Sequence, residues 1–469
     1  MHISEDKLKE ECGVFGIFCT NDDMDVASIT YYGLYALQHR GQESAGIAVS
    51  DGQKLECYKE MGLVADVFDR ERLQSLKGKS AIGHVRYSTA GSSNIENAQP
   101  ILKDYKNGSI AIAHNGNLVN AKIVKDELSK YGCCFESEAD TEVILNLIVD
   151  SKESNLKDAI SSSLKNIKGS YALVVLTEDK LIGIRDPNGI RPLCIGKIND
   201  NYVLCSESCA LDAVGADFVR DVLPGEIVTI DKSGLKSDRF TEAIECKTCS
   251  FEYVYFARPD STIDGINVYK SRVEAGKILY RESPVEADVV IGVPDSGIPA
   301  AVGFAEASGI PYGIGFIKNK YIARTFIAPS KELREKSVSV KLNPLKMNVE
   351  GKRVVIVDDS IVRGTTSKRL VQVLRRAGAK EVHFRVSSPV VKFPCYFGID
   401  TPYRKELIGA NFSVEEIRKK IGADSLAYID IPGMVESFGK KKTKDYCLGC
   451  FNGKYPMSTP DKEYSKSMV

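Results

Sequence analysis

The segment Val354-Val-Ile-Val-Asp-Asp-Ser-Ile-Val-Arg-Gly-Thr-Thr366 constrains this chain more than any other. An uninterrupted apolar run, two acids and a Ser/Gly/Thr loop opening a helix describe a strand buried on both faces, as in a parallel sheet. Backbone amides at such a helix start, with the loop hydroxyls, form a phosphate cradle. Asp358 and Asp359, at the carboxyl end of the strand, can accept hydrogen bonds from ribose hydroxyls and help balance a metal ion. The G-x-x-x-x-G-K-[ST] pattern is absent and no G-x-G-x-x-G opens a helix, which argues against a nucleoside-triphosphate loop and a dinucleotide site.

The rhythm around this segment is strand, glycine-rich turn, helix. Asp288–Val293 leads through Pro294-Asp-Ser-Gly297 into Ile298–Ala307, Arg353–Val357 leads into Thr366–Arg376, and Val382–Ser387 supplies another strand. That alternation predicts a doubly wound α/β domain. Upstream the pattern differs. Short β-rich runs (Gly13–Phe18, Ser44–Ser50, Ala81–Ser88, Ser109–His114, Tyr171–Thr177, Leu181–Arg185, Tyr202–Ser206, Glu226–Ile230) are interrupted by helical patterns at Leu118–Lys130, Asp140–Asp150 and Leu156–Ile167. Grouped strands with separate helices predict antiparallel sheets carrying helices on their faces, an α+β domain. The boundary is expected near residues 240–250, where Asp231–Asp238 breaks the pattern.

Composition narrows the function classes. Sixty-three basic residues balance 63 acidic ones, so the 469-residue chain has no general electrostatic footprint for nucleic acid or anionic membrane. Lys440–Lys444 is one short basic run and reads as a solvated surface. The polar N-terminus lacks a signal peptide's apolar stretch, and the longest apolar runs, such as Tyr171–Leu176, are too short to span a bilayer. A soluble, cytoplasmic protein is expected, and its 13 cysteines then read as buried thiols, a nucleophile or metal ligands. The five histidines are too scattered to suggest a metal site.

Cys12 precedes the first strand. A free thiol is a weak nucleophile at neutral pH. Removal of residues 1–11 would give Cys12 an α-amine of pKa ~7.7–8.0, a general base beside the nucleophile. Downstream stand Gln38-His-Arg-Gly-Gln-Glu43, Gly83-His-Val-Arg-Tyr-Ser-Thr89, His114-Asn-Gly-Asn117 and Ala139-Asp-Thr-Glu142. This ordered set resembles the glutaminase domain of the N-terminal-nucleophile (class II) glutamine amidotransferases, an αββα sandwich. The resemblance implies that Arg86 takes the glutamine α-carboxylate, Asp140 its α-ammonium, and Asn115 with Gly116 the oxyanion. It also places Arg40 and Gly41 at the glutamine site. His84 and His114 have no partner visible in the sequence and read as structural.

The Asp358–Asp359 segment resembles the phosphoribosylpyrophosphate (PRPP) signature of type I phosphoribosyltransferases. By that resemblance Ser360, Arg363, Gly364, Thr365 and Thr366 hold the 5′-phosphate, and Asp295, Ser296 and Gly297 cradle the pyrophosphate. Ser296, Asp358 and Asp359 then become Mg²⁺ ligands. Residues 318–330 resemble a loop that closes over PRPP, with Lys318 and Tyr321 reaching it.

Spacing alone, in Cys246/Cys249 and Cys447/Cys450, suggests either a Cys₄ zinc site or an iron–sulfur cluster. The two halves together resemble the glutamine phosphoribosylpyrophosphate amidotransferase family, in its propeptide-processed iron–sulfur branch. That implies a propeptide 1–11, a glutaminase domain 12–245 and a phosphoribosyltransferase domain 246–469 with a cluster-binding tail. It selects Cys249, Cys395, Cys447 and Cys450 for a [4Fe–4S] cluster and leaves Cys246 out. Cys19, Cys57, Cys133, Cys134, Cys194, Cys205 and Cys209 read as packing thiols. The resemblance further implies glutamine and PRPP as substrates, phosphoribosylamine as product, a homotetramer, and feedback inhibition by the purine nucleotides AMP, GMP and ADP. Two rivals, an amidotransferase with another acceptor and a non-catalytic nucleotide- or RNA-binding regulator, are disfavoured by the PRPP loop and by the intact glutamine pocket respectively.

Overall fold

The computed structural model describes residues 12–20, 24–87, 92–242, 244–318, 342–401, 403–439 and 442–459. Tyr321, most of the 318–330 loop, Ser88 and Thr89, and residues 1–11 lie outside the described residues.

The first half is built on two antiparallel sheets of seven and six strands. Gly13–Phe18 lies inside the seven-stranded sheet, between Asn201–Cys205 and Ser80–Arg86. It is buried on both faces, and its side chains alternate. Val14 and Phe18 enter the layer between the sheets, with Ala48, Ala113, Val174 and Leu204. Phe15 and Ile17 pack outward with Leu34 of helix Val26–Ala36 and Leu211 of helix Ser208–Val214. Helices Asp140–Val149 and Leu156–Leu164 cover the other sheet through Ile144, Leu145 and Ile160. Helix, sheet, sheet and helix therefore stack as an αββα sandwich.

The second half centres on four parallel strands in the order Val289–Gly292, Arg353–Asp358, Glu381–Val386, Ser425–Tyr428. Alternation again sends neighbouring residues to opposite buried faces. Val290, Val355 and Val357 meet helices Val268–Glu282 and Ile298–Ser308. Val289, Ile291, Val354 and Ile356 meet helices Thr365–Arg376 and Val414–Ile421. The two helices of the first face touch at backbone distance. A Cβ on Gly276 would lie 1.9 Å from the Ala300 carbonyl oxygen, and one on Gly303 would lie 1.8 Å from that of Val273.

The structure corrects the expectation at Asp231–Asp238. Glu226–Asp231 and Gly234–Arg239 form a hairpin, so this segment continues the six-stranded sheet. Strands Leu55–Met61, Ile101–Tyr105, Cys194–Ile198 and Asp217–Asp221 and helix Val26–Ala36 also exceed the sequence reading.

Candidate active site

Strand pairing brings the first motifs together. Gly13 pairs with Val85, so Cys12 stands beside the end of the strand that carries Arg86. Cys12 is 8% exposed, and its Sγ lies 3.4 Å from the Tyr87 carbonyl oxygen, to which it donates. Burial pushes the thiol up to about 11, against the lowering pull of the Tyr87 hydrogen bond and the Arg86 charge. Arg86, Asp140 and Glu43 are the charged groups around the sulfur.

Arg86 is buried, with Nη1 3.3 Å from the Ser92 carbonyl and 3.9 Å from Glu43 Oε2. Asp140 opens its helix and accepts from Leu118 N at 2.8 Å. Burial raises its pKa, but the His114 ring and the amides of Leu118 and Thr141 outweigh burial and hold the carboxyl below its usual range. His114 Nδ1 is 3.3 Å from Asp140 Oδ1, so His114 has the charged partner that the sequence did not reveal. His84 Nε2 contacts the His114 carbonyl at 3.0 Å.

Asn115 is 1% exposed, and neither its Nδ2 nor its Oδ1 has a hydrogen-bond partner among the described residues. A buried amide left this way is costly unless a ligand completes it. Gly116 has φ +150°, and a Cβ there would fall 2.1 Å from the Ser170 carbonyl oxygen. Gly41 is equally tight, since its Cβ would lie 2.5 Å from the Val85 carbonyl.

The side chain of Arg40 is engaged within the protein. Its guanidinium is fully buried and bonded to Glu207, Glu252 and the Cys12 carbonyl. Any contact of Arg40 with glutamine is therefore left to its backbone. Glu207 and Glu252 were invisible as site residues in the sequence, because a lone glutamate carries no signal of its distant partners.

The second site forms where two loops leave the carboxyl ends of adjacent parallel strands, the usual ligand position in such sheets. Asp358 and Asp359 are each 1% exposed. Ser296 Oγ donates to Asp359 Oδ2 across the two loops, and Ser360 Oγ donates to Asp359 Oδ1 at 2.6 Å. Gly297 fits against the strand end, where a Cβ would be 2.6 Å from the Val357 carbonyl. Gly364, at φ +82°, caps helix Thr365–Arg376, whose first N–H groups lack partners within the helix. Arg363 pairs with Glu406 at 3.0 Å, and Lys318 with Asp295 at 2.5 Å.

The cysteines gather separately. Cys249 and Cys447 are direct neighbours in a two-stranded parallel ribbon. Cys450 accepts at its carbonyl from Lys392 N and Phe393 N, which brings up the segment carrying Cys395. Cys447, Cys249 and Cys395 are the charges felt by the Cys450 thiol, whose pKa burial raises far above normal. Cys246 instead contacts Thr248 Oγ1 at 3.6 Å. Among the described residues, no three His, Cys, Asp or Glu side chains converge as the ligands of a metal ion would.

Two family models match the chain, a glutamine amidotransferase domain over residues 84–213 and a phosphoribosyl transferase domain over residues 274–388. The amidophosphoribosyltransferase of Bacillus subtilis is 54% identical over 453 residues, covering 96% of this chain and 94% of that protein. That of Archaeoglobus fulgidus is 52% identical over 455 residues, covering 96% and 99%. This chain belongs to the amidophosphoribosyltransferase family.

The solved structures agree. One described as the allosteric regulatory enzyme of purine biosynthesis superposes with a TM-score of 0.92 at 53% identity, covering 96% of this chain and 97% of that one. The B. subtilis glutamine PRPP amidotransferase complexed with ADP and GMP gives 0.91 at 53%, covering 96% and 98%. An amidophosphoribosyltransferase moves the amide nitrogen of glutamine onto PRPP in purine biosynthesis, and this chain carries a domain for each half of that reaction. No helix among the described residues is long and apolar enough to cross a membrane.

Proposed function

We propose that this amidophosphoribosyltransferase is processed between Glu11 and Cys12, giving a glutaminase domain 12–245 and a phosphoribosyltransferase domain 246–469. The Cys12 thiol needs a base, because burial holds it near 11 as a mid-chain residue. A freed α-amine supplies one. The amine takes the thiol proton, the sulfur attacks the glutamine side-chain amide, and the proton leaves with ammonia. Water then hydrolyses the glutamyl thioester. Arg86 grips the α-carboxylate with its planar fork, and Asp140 accepts from the α-ammonium. Asn115 and the Gly116 amide donate to the oxyanion, and the unpartnered Asn115 side chain is the single observation that best supports this assignment.

Ammonia then travels inside the protein to C1 of PRPP and displaces pyrophosphate. Ser360, Arg363, Gly364, Thr365 and Thr366 surround the 5′-phosphate, Asp358 and Asp359 the ribose, and Asp295, Ser296 and Gly297 the pyrophosphate. Lys318 and Tyr321 close over them and exclude water. Ser296 and Asp359 meet across the two loops, and with Asp358 they offer the oxygen donors that would hold Mg²⁺, which when bound would neutralise charge on the pyrophosphate. The thiols of Cys249, Cys395 and Cys447 lie close enough to Cys450 to act on it electrostatically, and these four would hold one [4Fe–4S] cluster per subunit. Its role is to tie the tail to the segment after the domain boundary. The enzyme works in the cytoplasm as a homotetramer, inhibited by AMP, GMP and ADP.

The test is glutamate release by anaerobically prepared protein, with and without PRPP and Mg²⁺, alongside N-terminal sequencing. PRPP-stimulated release from chains starting at Cys12 is expected. Active chains starting at Met1 would sink the Cys12 mechanism.

A further inference from the structure

Arg40 sits in a dry knot of charge at the junction of the two halves. Its Nη1 donates to Glu207 Oε1 at 2.5 Å and to Glu252 Oε2 at 3.0 Å, and its Nη2 to Glu252 Oε1 at 2.8 Å. All three side chains are 0% exposed. Glu207 also accepts from His39 Nε2 at 2.8 Å, Ser261 Oγ at 2.7 Å and Arg258 N at 2.9 Å. Arg191 Nη1 reaches Glu252 Oε1 at 3.4 Å. A guanidinium gripped at both terminal nitrogens cannot turn in its plane, so the direction of its Nε–H is fixed. That N–H donates to the Cys12 carbonyl at 3.1 Å.

From this geometry we infer that Arg40 is a positioning residue for the nucleophile, and that Glu252, contributed by the second half, completes its alignment. The inference rests on Cys12 being the processed N-terminal nucleophile. Such a residue has lost one of its two peptide tethers. Its remaining peptide can swing about the Cα–C bond unless its carbonyl is held. Arg40 holds that carbonyl, and Glu252 holds Arg40. The α-amine and the Cβ that carries the sulfur branch from the same Cα, so one hydrogen bond orients both branches together. The glutaminase half therefore draws part of its active-site geometry from the phosphoribosyl half.

Arg40→Lys and Glu252→Gln in the full chain test this, with Cys12→Ala measured first. Glutamine-dependent activity surviving in Cys12→Ala would overturn the nucleophile reading itself. In both test variants kcat with glutamine is expected to fall on the order of 10- to 100-fold, the scale of a small misplacement of reacting groups. KM for glutamine and synthesis from free ammonia should stay within about twofold of the parent enzyme. Glu252→Asp, which keeps the charge, should recover part of the lost kcat. A raised KM at unchanged kcat in Arg40→Lys would make Arg40 a glutamine ligand and overturn the inference. Unchanged kcat in Glu252→Gln, or equal loss of the ammonia reaction, would overturn it too, the latter by showing a purely structural role. If Glu252→Gln does not fold, Arg40→Lys decides by the same readings.

Discussion

His114 and Asp140 face one another beside Cys12, with ring Nδ1 3.3 Å from carboxylate Oδ1. The contact helps hold Asp140 ionised despite its burial, which keeps the negative charge that the proposed grip on the glutamine α-ammonium requires. Asp140→Asn removes that charge at nearly constant shape. A charge-assisted hydrogen bond contributes about 1.5–3 kcal/mol. KM for glutamine is therefore expected to rise about 10- to 100-fold, while synthesis from free ammonia persists. Steady-state kinetics with each nitrogen source check both statements.

Asn115→Ala addresses the oxyanion. Loss of one preorganised donor costs about 10²–10³ in kcat. On the proposed role the amide serves the transition state, so KM for glutamine should change little. A defect confined to KM would assign Asn115 to ground-state binding.

Gly297→Ala tests the second site. The added methyl would sit 2.6 Å from the Val357 carbonyl, which forces the Ser296 loop away from Asp359. KM for PRPP should rise at least tenfold, on the order of the 1.4 kcal/mol lost when one hydrogen bond breaks. Basal glutamate release without PRPP should stay within twofold. Titration with PRPP in the coupled and uncoupled assays separates the two.

The cysteines make a compositional prediction. Cys395→Ser should lower iron and acid-labile sulfide per subunit and remove the broad visible absorption of a cluster. Cys246→Ser should leave all three unchanged, since that thiol turns to Thr248. Equal iron loss in both variants would favour a set built on the two C-x-x-C pairs.

Acid stability should report on Glu207. Burial raises its pKa, but the His39 and Arg40 charges overcome burial and hold the folded value well below normal. A carboxyl depressed in this way stabilises the fold at every pH above its unfolded value of ~4.3. The contribution is lost as pH falls through the folded value. Glu207→Gln should cost toward the lower end of about 3–5 kcal/mol at neutral pH, because Arg40 keeps Glu252. Its melting temperature should also depend less on pH below ~4.3 than that of the parent. Thermal melts from neutral to acid pH check both effects.

How much of this was legible in the sequence depends on the range of the contacts. The strand, turn and helix start around Asp358–Thr366 are legible because they are consecutive in the chain. Gly13–Phe18 was readable because both of its faces are apolar. Asp217–Asp221, an edge strand with charged residues at both ends, offered no alternation to detect. Arg40 stands in a recognisable motif, yet its side chain is held by Glu207 and Glu252, 167 and 212 positions away. His114 shows no partner in the sequence because Asp140 reaches it only through folding. Local chemistry showed in the sequence, and the pairing of buried charges did not.

The glycines at 276 and 303 bring two helices together without side chains between them. One of those helices, Ile298–Ser308, begins immediately after Ser296 and Gly297. Backbone contact leaves this helix no latitude to slide or tilt, so the hydroxyl of Ser296 inherits its coordinates from methyl groups missing on the far side of the rod. A substitution at either glycine would act as a lever, displacing the phosphoribosyl loop without touching any residue in it.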